Sequence, residues 1–204
     1  MWHFEVLFVF MLSAIGLTLT PGPDLLYVLS LSLSAGWKKG FVTALGLVSG
    51  LIFHTMIVAL GVGYLVERYS SLMIIIKILG ALYLFFLSYQ MWFRKRTLAK
   101  KAKDKKELMQ YYKTGLVMNL TNPKVSLFFL GFLPAFIFHD AWHMSMQFLF
   151  LGFLFITQAL VIFFIVAYFS SILGKSFSGL EKRFNWNKIQ SILLLSIAIL
   201  LLLS

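Results

Sequence analysis

The chain has 204 residues, 60% of them hydrophobic and 12% charged, with no cysteine and a formal net charge of +11. A soluble domain carries about 25% charged residues, so the apolar excess makes lipid the solvent and predicts a polytopic, all-α membrane protein. The absence of cysteine excludes disulfides, thiolate metal sites and cysteine catalysis. The positive charge is no nucleic-acid footprint, because nine of the 18 Lys and Arg lie between Arg94 and Lys113, flanked by apolar runs.

In chain order, the start Met1-Trp2-His3-Phe4-Glu5 lacks the positive n-region of a signal peptide, so the first apolar run is read as structure. Six spans are predicted, over about 4–33, 41–65, 72–93, 115–138, 146–173 and 189–203. Most approach or exceed the ~20 residues that cross ~30 Å of hydrocarbon, and the sixth is the shortest. With the Arg94–Lys113 loop cytoplasmic, Lys38, Lys39, Lys175, Lys182, Arg183 and Lys188 fall on the same side, and Arg68 alone falls outside. Both termini are then expected outside the cytoplasm, with Trp2, Trp37, Trp92 and Trp142 near span ends.

Two interruptions organise these spans. In the first span, Leu19-Thr20-Pro21-Gly22-Pro23-Asp24 stops a helix, because proline lacks the backbone donor and glycine is a poor helix former. An aspartate at a bilayer centre costs on the order of 3 kcal/mol, so such a break belongs where the chain lines a cavity or packs on protein. About a hundred residues on, Asn119-Leu120-Thr121-Asn122-Pro123-Lys124 opens the fourth span in the same way. Three spans on each side of the basic loop give one transmembrane domain of two inverted repeats, about 1–93 and 114–204, joined by loop 94–113.

The candidate chemistry sits at these breaks. A half-helix starting after Pro23 presents free N–H groups that can hold a carboxylate. Asp24 can meet an amino group or a proton, or it caps its own helix. Lys124 can pair with a carboxylate or with Asp24, or it snorkels to the headgroups. Asn119, Thr121 and Asn122 can satisfy the backbone freed by Pro123 and touch ligand. His54, one turn beyond Gly46-x-x-x-Gly50, is either a proton relay or a packing donor. Lys77 opens the third span and snorkels; Gln90 and Gln158 can bond substrate or neighbouring helices. His139 and His143 have the i, i+4 spacing of a helical metal pair, with Asp140 adjacent, but no third strong ligand follows. The basic loop also attracts anionic lipid headgroups. No G-x-S-x-G or H-E-x-x-H motif assembles a nucleophile and base, and no cofactor or resident metal is expected.

These motifs, in order, resemble the LysE/RhtB family of amino-acid exporters. Pro21-Gly22-Pro23-Asp24 is similar to its N-terminal signature, and Gly36-Trp37-Lys38-Lys39-Gly40 with Gly46, Gly50 and His54 to its second span. Lys77-x-x-Gly80-Ala81-x-Tyr83-Leu84 resembles the third, and Asn119-Leu120-Thr121-Asn122-Pro123-Lys124 with Phe132-Leu133-Pro134 the fourth. The resemblance implies a bacterial inner-membrane secondary transporter that exports amino acids or derivatives, driven by the proton motive force and compatible with a homodimer. From the residues themselves, substrate contacts are expected at Pro21, Gly22, Pro23, Asp24, Asn119, Asn122, Pro123 and Lys124, and proton coupling at Asp24 or His54. Ser88, where a glycine is expected, and Ala135, where a glutamine is expected, depart from the pattern. The competing expectations are export of a metal ion or other small solute, and a non-transport role such as an assembly factor or intramembrane enzyme.

Overall fold

The computed structural model describes residues 2–20, 22–69, 71–93, 107–173 and 186–203. Among them every regular element is helical, apart from an isolated antiparallel bridge between Trp2 and His139. Helix α1 (Phe4–Leu19) is followed across the first break by α2 (Pro23–Ala35). Helix α3 (Trp37–Ile57) continues through a π turn (Val58–Val62) into α4 (Gly63–Arg68). Then come α5 (Ser71–Phe93), α6 (Leu108–Leu120), α7 (Pro123–Phe132), α8 (Met144–Leu173) and α9 (Trp186–Leu203).

Bilayer-length apolar helices are present among the described residues. Trp37–Val66 and Met144–Ile172 are each long and apolar enough to cross a membrane, and α1 with α2 qualifies as one span bent by 55°. The helices fall where the apolar runs placed them, with shifted ends. Helix α6 starts at Leu108, so Lys113 stands on a helix rather than in the loop, and the fourth apolar run leaves α-helix at Phe132 for a 3-10 turn (Leu133–Ala135). The rest of the basic segment, 94–106, lies outside the described residues, as does 174–185.

Packing follows from small residues. Helices α3 and α6 meet along a seam where Gly46 and Gly115 let the backbones touch and Gly50 makes room for the Asn119 side chain. A Cβ on Gly46 would press on the Tyr112 carbonyl and lie 2.8 Å from the Leu116 nitrogen, while one on Gly50 would lie 2.8 Å from Asn119 Cβ. This close approach, typical of small residues in membrane helices, fixes α6 beside α3. The α2–α3 corner turns at Gly36, whose φ of 93° is a region that glycine alone enters easily. Helix α8 packs on α1, α2 and α3, and α9 pairs with α5. In that last pair Ser88 and Ser191, both buried, exchange hydrogen bonds: each hydroxyl donates to the other residue's carbonyl, at 2.8 and 2.7 Å. The serine that departs from the expected glycine thus supplies half of a reciprocal clasp.

The 136–143 segment forms a cap knotted by Gln147 of α8. Its Oε1 accepts from the Phe138 and His139 amides at 2.9 and 3.0 Å, and its Nε2 donates to the His139 and Trp142 carbonyls. The chain start is pinned to this cap, since the His3 amide donates to the Phe138 carbonyl and Trp2 packs among Phe138, His139 and Trp142.

Candidate functional site

The two breaks come together. Asn122 Nδ2, just before α7, donates to Asp24 Oδ2, in the first turn of α2, at 3.0 Å. Asp24 therefore does not cap its own helix: the N-cap is Gly22, no side chain caps there, and the carboxylate reaches the opposite half of the chain. Both half-helices open on one cavity of about 60 Å³, to which Gly22, Pro23, Asp24, Asn119 and Asn122 contribute. Thr18 and Thr20 stand at the same break, each hydroxyl donating back to its own helix, to Ala14 and Gly16.

The remaining wall is apolar, with Leu51, Val125, Phe128, Phe129, Phe155 and Phe163 among its residues. The lining thus offers a carboxylate, amides and hydroxyls beside aromatic and aliphatic carbon. An amphipathic solute with a charged head and an apolar tail matches that combination. Asn119 is 3% exposed and its Oδ1 has no hydrogen-bond partner among the described residues, which leaves an acceptor at the cavity wall.

The α6–α7 break explains the placement of His54. Pro123 has no N–H for the carbonyl of Asn119, four residues back. That carbonyl accepts instead from the Asn122 amide at 3.1 Å, and buried His54 places Nε2 3.4 Å from it. A carbonyl only accepts, so the contact sets the proton on Nε2. Gln158 of α8, also buried, donates from Nε2 to Thr18 Oγ1 at 2.9 Å.

Of the residues expected to form the site, Gly22, Pro23, Asp24, Asn119 and Asn122 converge, and His54 stands one contact behind them. Pro21 and the side chains of Pro123, Lys124 and Lys77 lie outside the described residues. The expected i, i+4 pair His139 and His143 is not on a helix: α8 begins only at Met144, and His139 Nδ1 accepts from the Ala141 amide at 3.1 Å. Among the described residues no group of three metal-ligating side chains forms. Gln90 lies at an exposed end of α5, away from the cavity. The apolar wall escaped sequence reasoning. Its signals are Phe128-Phe129 a turn and a half past Pro123, and the i, i+4, i+8 series Phe155, Ala159 and Phe163, in a chain with 22 phenylalanines.

Apolar helices broken around a shared, mostly apolar cavity are the architecture of a solute translocator. Residues 15–204 match the LysE type translocator family, and the chain belongs to it. It is similar to a leucine efflux protein of Salmonella typhimurium, 32% identical over 147 residues that span 70% of this chain and 68% of the relative. The leucine efflux protein of Salmonella typhi matches to the same degree. An uncharacterized membrane protein of Vibrio cholerae is 34% identical over 159 residues, 76% of each chain. No solved structure matches it.

Proposed function

We propose that this translocator exports a neutral amino acid with an apolar side chain from the bacterial cytoplasm, coupled to the proton motive force. The observation that carries the reading is the Asp24–Asn122 contact in a mostly apolar cavity. A substrate ammonium group replaces the Asn122 amide on Asp24, and its carboxylate takes the positive ends of the half-helices together with Lys124. The aliphatic tail lies against Phe128, Phe129 and Phe155, which favours leucine-like side chains over charged ones. The name of the Salmonella relatives agrees with that choice.

Six spans arranged as two inverted three-helix repeats give the cavity its alternating access, and the first repeat rocks against the second. The reciprocal Ser88–Ser191 clasp supports this arrangement, because self-complementary contacts are what a two-fold axis between α5 and α9 produces. Asp24 carries the coupled proton when the ammonium leaves, and both chain ends lie outside the cytoplasm. The test is efflux from cells loaded with dipeptides of leucine, methionine, threonine and lysine, with and without the protein. Faster leucine or methionine efflux that a protonophore stops is the expected result. Faster lysine efflux alone would overturn the apolar-tail assignment.

A further inference from the structure

Two buried side chains each reach from the second helix of one repeat to the broken helix of the other. His54 of α3 meets the backbone carbonyl of Asn119 in α6, and Gln158 of α8 donates to the hydroxyl of Thr18 in α1. The two break segments align as Thr18-Leu19-Thr20 with Asn119-Leu120-Thr121, so Thr18 and Asn119 occupy equivalent places. Their neighbours behave alike: Thr20 Oγ1 donates to Gly16 O and Thr121 Oγ1 to Val117 O, each four residues back and each at 2.8 Å. His54 and Gln158 are thus counterparts under the same two-fold relation that pairs Ser88 with Ser191.

The two contacts are not equally tight. Gln158–Thr18 is a full hydrogen bond at 2.9 Å, while His54–Asn119 is stretched to 3.4 Å, near the limit for N–H···O. A two-fold device in an asymmetric state has one side closed and the other loosened, and the opposite state exchanges them. Gln158 Oε1, buried and without a hydrogen-bond partner among the described residues, marks this side as one that does not satisfy every group in a single conformation.

We infer that Gln158 and His54 are equivalent positioning residues, latches that tie each broken helix to the opposite repeat and tighten alternately as the cavity changes the side it faces. This rests on the inverted-repeat reading above. It assigns no substrate contact to either residue.

The test reads conformation without transport. The native chain has no cysteine, so Val125→Cys on the cavity wall serves as a single reporter. Labelling by a membrane-impermeant maleimide is measured from outside on intact cells and from the cytoplasmic side on inverted vesicles. Gln158→Met removes one latch and His54→Phe the other. Each is expected to shift the outside-to-inside labelling ratio by about three- to tenfold, the net worth of one hydrogen bond, and in opposite directions. Gln158→His and His54→Gln, which place each latch residue at the other's position, are expected to bring the ratio back toward the parent value. Shifts of the same sign, or none in either variant, would overturn the proposal. Variants that fail to reach the membrane are replaced by the two exchange variants, for which a ratio no nearer the parent than that of an Ala substitution counts equally against it. Cysteines in the 36–40 corner and at 108–110 test the topology separately: the two-repeat arrangement fails if they label from opposite sides, and the exporter reading fails only in the efflux assay.

Discussion

The α3–α6 seam makes the sharpest structural prediction, because what must yield there is backbone. A methyl group on Gly46 would press on the Tyr112 carbonyl and sit 2.8 Å from the Leu116 nitrogen, where ordinary contact begins at 3.4 Å, so the helices must part by about 0.6 Å or more. Neither helix can rotate a backbone atom away, and overpacking of this kind costs about 1–3 kcal/mol. For a chain of this size that lowers Tm by about 2–12 °C. The displacement is passed along α6 to Asn119, whose carbonyl and amide serve the site, so Gly46→Ala is expected to slow efflux as well as destabilise. Thermal unfolding of purified protein in detergent, alongside efflux per molecule in the membrane, measures both. Gly61→Ala is the control, since a methyl group there meets nothing within 4 Å. Equal Tm and efflux for Gly46→Ala and the parent would refute the close-contact account of the seam.

Other outcomes follow from the same geometry. Asn122→Leu removes a donor that the substrate ammonium otherwise has to displace from Asp24, a hydrogen bond to a charged group of about 1.5–3 kcal/mol, and is expected to lower the substrate concentration at half-maximal efflux while leaving membrane abundance unchanged in immunoblots. Phe155→Leu enlarges the apolar wall and is expected to raise efflux of phenylalanine relative to leucine in competition assays. Ser88→Ala breaks one strand of the α5–α9 clasp, since the residue-88 carbonyl still accepts from Ser191, and is expected to lower stability by about 0.5–1.5 kcal/mol, read as a Tm shift, with substrate preference unchanged. At the cap, the His3 imidazole beside Asp140, 2.9 Å away, holds its carboxyl down at about 2. The folded-state value is depressed, so this contribution to stability is complete above the ordinary carboxylate range and is lost only as pH falls toward 2. Stability profiles of the parent and Asp140→Asn are therefore expected to converge as the pH falls through the ordinary carboxylate range toward 2.

The breaks were legible because proline and glycine act locally: Pro23 and Pro123 start new helices wherever the chain goes next. That they meet, and that Asp24 bonds Asn122 98 positions away rather than its own helix, depends on packing that no local pattern encodes. Gln158 was visible as a polar residue in an apolar run, but its partner Thr18 was hidden because a threonine in a membrane helix usually satisfies itself by back-bonding, as this one also does. The phenylalanines of the cavity were illegible for the opposite reason, since lipid-facing and cavity-facing aromatic residues look alike when both solvents are apolar. His139 and His143 were misplaced because the spacing was counted as helix, whereas Gln147 ties that segment into a cap. The helix ends moved for a simpler reason: α6 extends back to Leu108, since Lys113 and the polar residues around it are as compatible with a helix emerging from the membrane as with a loop.

The most direct measurement of the central claim is efflux by Asp24→Asn, an isosteric change that keeps the contact to α7 possible and removes only the charge. With the variant at parental abundance in the membrane, protonophore-sensitive amino-acid efflux is predicted to fall to the level of cells lacking the protein. Efflux at the parental rate would contradict the account, because the carboxylate joining the two breaks would then have no part in moving the substrate.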